Sequence, residues 1–182
     1  QKRFRESYLA VSDVEPPLPF EQRALLEELI GLVSAEQYDE ALAFLEEETT
    51  PQSSANFDFV RGNIGFQIDD YELAVQGYED ATNKYPRYLR AWKNLGLLRA
   101  KEGESELAAQ ALTRVLTLGG SDEITYGGLG AAYLSNGNPV SAESAFRNAV
   151  MLNPAEEQWQ LGLARAFFDQ ARYAEAASLC GS

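Results

Sequence analysis

Three basic side chains, Arg90, Lys93 and Lys101, are the residues whose type and setting point most directly to chemistry. They belong to a chain of 182 residues that carries 15 Lys and Arg against 28 Asp and Glu, a formal net charge of −13. Residues 89–122 hold five basic and four acidic residues, whereas residues 1–54 hold four basic against twelve acidic. A basic patch in so acidic a molecule attracts a carboxylate-bearing segment, while the overall charge opposes phosphate backbones and anionic lipid heads. The expected partner is therefore a protein or peptide with acidic residues, and not nucleic acid.

Covalent and metal chemistry find little to work with. The chain has no histidine, which removes Ser-His and Cys-His pairs and the commonest zinc ligand. Cys180 is the single cysteine; it cannot form an intrachain disulfide and leaves the redox compartment open. No GxSxG stands in the chain. Gly128, Leu129 and Gly130 lack the third glycine of a dinucleotide loop and fall inside an expected helix, not after a strand. Asp69, Asp70 and Glu72 are too close together for a calcium loop and are expected to cap a helix. No catalytic residue, metal or cofactor is expected, and the chain reads as a non-enzymatic protein.

No run approaches eighteen apolar residues, so direct membrane insertion of this segment is not expected. The first residues, Gln1 to Glu6, lack the apolar stretch of a signal peptide. Starting without Met and stopping inside an expected helix, the chain is read as a piece of something longer, from which a signal or anchor could have been cut.

The elements that must position the basic residues repeat. Trp92, Leu95 and Gly96 recur as Tyr126, Leu129 and Gly130, and the same offset of 34 residues carries Ala108 onto Ala142 and Leu112 onto Phe146. Each copy holds two apolar stripes of helical period, separated by a polar break such as 101–104 or 135–139. That is a helix hairpin. Small residues recur where paired helices must cross closely, Gly62 with Ala74, Gly96 with Ala108, Gly130 with Ala142 and Ala164 with Ala176. Pro86 and Pro154 end second helices. The copies are expected over 22–54, 55–88, 89–122, 123–156 and 157–182, the last truncated, with an N-terminal extension over 1–20 before the array of 21–182.

These positions resemble the tetratricopeptide repeat (TPR) family, whose period is 34 residues. The fourth copy matches best, with Tyr126, Leu129, Gly130, Tyr133, Ala142, Phe146, Ala149 and Pro154. Departures are Asp58 and Arg61 in place of large apolar residues, Gly120 in place of the terminal proline of the third copy, and Glu28 in an apolar slot of the first. The resemblance implies an all-α, right-handed α-solenoid of stacked antiparallel hairpins, a TPR superhelix with a concave face lined by the first helix of each copy.

Read through that resemblance, the groove holds Phe59, Asn63 and Phe66 in the second copy, Arg90, Lys93, Asn94 and Lys101 in the third, a shallow floor at Gly127, Gly128 and Ala131 in the fourth, and Phe168 in the fifth. Asn63 and Asn94 stand where co-chaperone members of the family clamp a peptide backbone, a task suited to an amide with both donor and acceptor. Phe59, Ile124 and Gly128 stand where a full two-carboxylate clamp needs basic residues, so a chaperone C-terminus is not the expected ligand. Phe59 and Phe66 could instead pack against the preceding copy.

The expected function is a protein-protein interaction scaffold or adaptor, with Phe59, Asn63, Phe66, Arg90, Lys93, Asn94, Lys101, Gly127 and Phe168 as partner-binding residues. The alternative is a structural spacer or a segment that self-associates into a homo-oligomer. Before the array, Glu15, Pro16, Pro17, Leu18 and Pro19 should be extended and helix-free and read as a linker. Phe4, Tyr8, Leu9 and Val11 are expected to form a short amphipathic helix that docks on the first copy.

Overall fold

The computed structural model describes residues 13–180, and the expected helix around Phe4 to Val11 lies outside them. A 3-10 turn at Phe20–Gln22 precedes ten α-helices. These are α1 (Arg23–Ser34), α2 (Tyr38–Glu48), α3 (Ala55–Gln67), α4 (Tyr71–Lys84), α5 (Leu89–Lys101), α6 (Ser105–Thr117), α7 (Glu123–Ser135), α8 (Pro139–Leu152), α9 (Glu157–Asp169) and α10 (Tyr173–Cys180). No strand occurs among the described residues. The chain divides into two compact units, Gln1–Ala91 and Trp92–Ser182, with the boundary inside α5.

The turns inside the hairpins share one chemistry. A left-handed residue stands at Glu36, Asp69, Gly103, Gly137 and Ala171, the last four spaced by 34 residues. One residue later the chain closes a six-residue ring onto the preceding helix. Gln37 N–H donates to Leu32 O at 3.0 Å, Asp70 to Gly65 at 2.9 Å, Glu104 to Arg99 at 2.8 Å, Asn138 to Tyr133 at 2.8 Å and Arg172 to Phe167 at 2.9 Å. This geometry satisfies the last carbonyls of the first helix and reverses the chain. Gly103 and Gly137 adopt the left-handed conformation without steric cost, and the other three accept it.

Entry into helices is set by side-chain caps. Ser54 accepts from Asn56 N, Asp70 from Leu73 N, Asp122 from Thr125 N and Asn138 from Ser141 N. Each satisfies a backbone donor that the first turn leaves open.

The hairpins close through glycine. A Cβ on Gly62 would strike the Tyr78 ring, one on Gly96 the Leu112 side chain, and one on Gly130 the Phe146 ring. Tyr78, Leu112 and Phe146 are all buried, so one large side chain fills the space that each glycine leaves. In the first unit the approach is closer still, since a Cβ on Gly77 would sit 2.6 Å from the Gly62 Cα and one on Gly65 would sit 2.6 Å from the Ala74 nitrogen. There α3 and α4 touch backbone to backbone. Gly65 and Gly77 were not among the expected small crossing residues.

Each unit has its own core. In the first, Leu26, Leu29, Ala41, Leu45, Phe57, Val60, Ile64, Ala74 and Ala81 are buried. In the second, Leu112, Leu129 and Ala145 join α6, α7 and α8 in one cluster, while Phe146, Leu163 and Phe167 join α8 to α9 in another.

The substitutions Asp58 and Arg61 leave a charged gap in the first unit. Asp58 Oδ2 lies 2.7 Å from Lys84 Nζ, and Arg61 Nη2 lies 2.5 Å from Asp80 Oδ2. These groups, with Leu42, Leu45 and Phe57, line a cavity of about 670 Å³. Burial pushes the Asp58 carboxyl above its ordinary value, against the hydrogen bond and charge of Lys84 and the charge of Arg61, which pull it down.

Candidate functional site

The expected site residues divide between the units. Phe59, Asn63, Phe66 and Arg90 belong to the first, whereas Lys93, Asn94, Lys101, Gly127 and Phe168 belong to the second. In the first unit the structure gathers Phe59 and Arg90 around the chain's own segment 13–17.

Segment 13–17 turns at residues 13 and 14, bends at Glu15 and runs on as irregular chain, lying against α3, the α4–α5 connection and the start of α5. Arg90 grips Glu15 with both Nε and Nη2, the latter at 2.6 Å from Oε2. Both side chains are shielded, 24% and 13% exposed, and the forked geometry lifts this pair above the roughly 0–1 kcal/mol of an exposed one. The main chain is read as well. Asp13 O accepts from Tyr85 Oη at 3.1 Å and from Arg87 Nε at 2.8 Å. Val14 O accepts from Leu89 N–H at 3.1 Å, the first amide of α5, which has no partner within its own helix. Pro16 O accepts from Asn56 Nδ2 at 3.4 Å, and Pro17 O from Ser54 Oγ at 3.0 Å. Pro16 is buried.

The wall beneath is preorganised. Asn56 is 1% exposed; its Oδ1 accepts from Tyr88 Oη at 3.1 Å, which fixes the amide so that its NH2 faces the segment. Phe59 is buried, with its ring 4.9 Å from that of Tyr88 and 5.8 Å from that of Tyr78. The Arg90 guanidinium stands 5.2 Å from the Phe59 ring centre and 5.6 Å from that of Tyr88, an aromatic seat for the cation.

Several expectations need correction. Phe59 is no exposed apolar anchor: it is the buried support under Arg90, because the Tyr88 ring and the guanidinium close over it. Gly127 is no open floor, since the Trp159 indole fills the place of its missing side chain. Leu97 and Leu112 likewise close over Gly128. Lys93 is not a ligand-facing cation, because its Nζ lies 2.5 Å from Asp122 Oδ2. Glu15 to Pro17 do not form a free linker.

Other residues keep an accessible setting. Asn63 is half-buried and accepts from Tyr78 Oη at 2.9 Å. Phe66 is 43% exposed and tilts against Tyr71; Phe168 is 60% exposed and meets Tyr173 edge to face. Asn94 is half-buried, and Lys101 is exposed at the end of α5.

Sequence reasoning missed Ser54, Tyr85, Arg87 and Tyr88, which supply or fix donors. Asn56 lay in the same groove register as Phe59 and Asn63 but was not singled out. The available signal was Glu15-Pro16-Pro17, which offers a carboxylate and carbonyls but no proline N–H.

Among the described residues no helix is long and apolar enough to cross a membrane. No curated protein matches the chain. Solved structures do: a double mutant of MamA RS-1 aligns with a TM-score of 0.79 at 20% identity, over 91% of this chain and 93% of that one. MamA AMB-1 aligns at 0.78 with 19% identity over 90% and 96%. A MamA fragment from Desulfovibrio magneticus RS-1 aligns at 0.75 with 20% identity over 91% and 94%. At such identities the likeness is one of fold, the all-α solenoid class. The Tetratricopeptide repeat family model matches residues 59–123 and 128–180. With well over half of its length matched, the chain belongs to the tetratricopeptide repeat family.

Proposed function

We propose that the chain is a non-enzymatic scaffold or adaptor that holds a segment of a partner protein on the donor-lined surface of its first unit. The division into an N-terminal extension over 1–20 and a repeat array over 21–182 is part of this reading. The observation that carries it is the row of donors from Ser54, Asn56, Tyr85, Arg87, the Leu89 amide and Arg90, all directed at the main chain of segment 13–17 and one carboxylate. A surface that meets main-chain carbonyls and one acidic side chain is what peptide recognition requires. Buried Asn56 and the aromatic support of Arg90 hold the donors in place, which limits the ordering cost of binding.

Asn63 and Phe66 stand as further contacts in the first unit, and Asn94, Lys101 and Phe168 stand as candidate partner contacts of the second unit by itself. The test is selection from a displayed library of random peptides on the intact chain and on Arg90→Glu. Peptides retained by the wild type and lost by the variant support the reading. If no peptide is enriched, or if the same peptides are enriched on both, the reading fails.

A further inference from the structure

We propose that the first unit selects partner segments in which an acidic residue precedes two prolines, the carboxylate and the main-chain carbonyls accepting from its donors, and that segment 13–17 is a resident competitor which such a partner must displace. This deepens the scaffold reading and rests on it.

The argument is one of complementarity. Among the described residues the Tyr85 and Ser54 hydroxyls, the Arg87 and Arg90 guanidinium groups, the Asn56 NH2 and the Leu89 amide all donate to the segment. At the buried position of Pro16, a residue with a backbone N–H would risk burying a donor without an acceptor, a loss comparable to that of a hydrogen bond. Proline removes that group there, and the rings of Pro16 and Pro17 restrict the backbone before binding. Glu15 supplies the carboxylate that the surface grips, and the planar fork of Arg90 matches it in two-point contact. Selection therefore comes from what the ligand lacks as much as from what it offers.

The resident segment also sets the threshold. It is joined to α1 through the turn Phe20–Gln22, and Gln22 Oε1 accepts from the Ser54 amide at 2.9 Å. So short a tether keeps the segment at an effective concentration of roughly millimolar order. A partner in trans reaches only the fraction of molecules in which the site is open, and its apparent affinity falls by that fraction.

The test uses a fluorescein-labelled peptide with the sequence of residues 11–20, titrated by fluorescence anisotropy into the full chain, its Glu15→Gln variant and its Arg90→Gln variant. Weakening the resident contact should tighten peptide binding by roughly tenfold relative to the wild type. Arg90→Gln, which keeps a polar side chain over the rings, should abolish it, and circular dichroism checks that each variant stays helical. The charge-exchanged protein Glu15→Arg/Arg90→Glu should bind a peptide with Arg in place of the acid better than the native peptide. Equal affinity for wild type and Glu15→Gln, or no binding to either, overturns the proposal. If the random library yields Arg90-dependent peptides that lack the acid-proline-proline pattern and bind both proteins alike, the scaffold reading survives and this inference alone fails. If a second copy supplies the segment, the wild-type chain will sediment as a dimer that Glu15→Gln dissolves, which overturns the resident arrangement.

Discussion

Arg90 and Lys93 stand three positions apart on α5, and both are held by the chain's own acids, Arg90 by Glu15 and Lys93 by Asp122. Their type and position were legible in the sequence, but their partners were not, because the partners lie 75 and 29 residues away. Phe59 fails as an exposed anchor for the same reason: Tyr88, which covers it, comes from another element. Asp122 carries a testable consequence. Its burial would raise the carboxyl, but hydrogen bonds from Lys93 and Thr125 outweigh that and hold it below its ordinary value of 3.8. A carboxyl depressed on folding stabilises the fold above its unfolded value, and that contribution is lost as pH falls through the lower folded value. Asp122 also caps α7. Asp122→Ala should therefore cost about 1 kcal/mol in urea unfolding at neutral pH, and the gap to wild type should shrink below pH 3.8.

At the scale of elements the sequence was most readable. The polar breaks between paired helices and the small residue at each close crossing, Gly62, Gly96 and Gly130, repeat along the chain, and periodicity exposes them; the left-handed turn at Glu36, Asp69 and Ala171 is not written in residue type and was not legible. The backbone contact of Gly77 with Gly62 was not readable, since the repeat pattern places its small residue at Ala74. The two kinds of glycine separate cleanly by substitution. Gly77→Ala drives a Cβ into the Gly62 backbone and should lower stability by about 1–3 kcal/mol. Gly31, in the body of α1, has nothing within 4 Å of where its Cβ would stand, so Gly31→Ala should raise stability by about 0.5–1 kcal/mol. Thermal unfolding of the two variants beside wild type checks both signs.

For the molecule as a whole, the proposed function turns on a segment that composition alone presents as a spacer. Residues 13–17 contain two prolines and two acids, and an acidic, proline-rich stretch reads as solvated until the donors that meet it are known. Those donors come from α3, the α4–α5 connection and the N-terminus of α5, so the site exists only once the first unit has folded. The Leu89 amide reports on it directly. As the first residue of α5 its N–H has no intrahelical acceptor, and the structure gives it Val14 O at 3.1 Å. Residue-resolved hydrogen exchange of the intact chain should find the Leu89 amide protected in the wild type and exposed in Glu15→Gln, with the core amides of α3 and α4 unchanged. A Leu89 amide that exchanges at the unprotected rate in the wild type, or that stays equally protected in Glu15→Gln, would contradict a surface that holds an acidic, proline-containing segment.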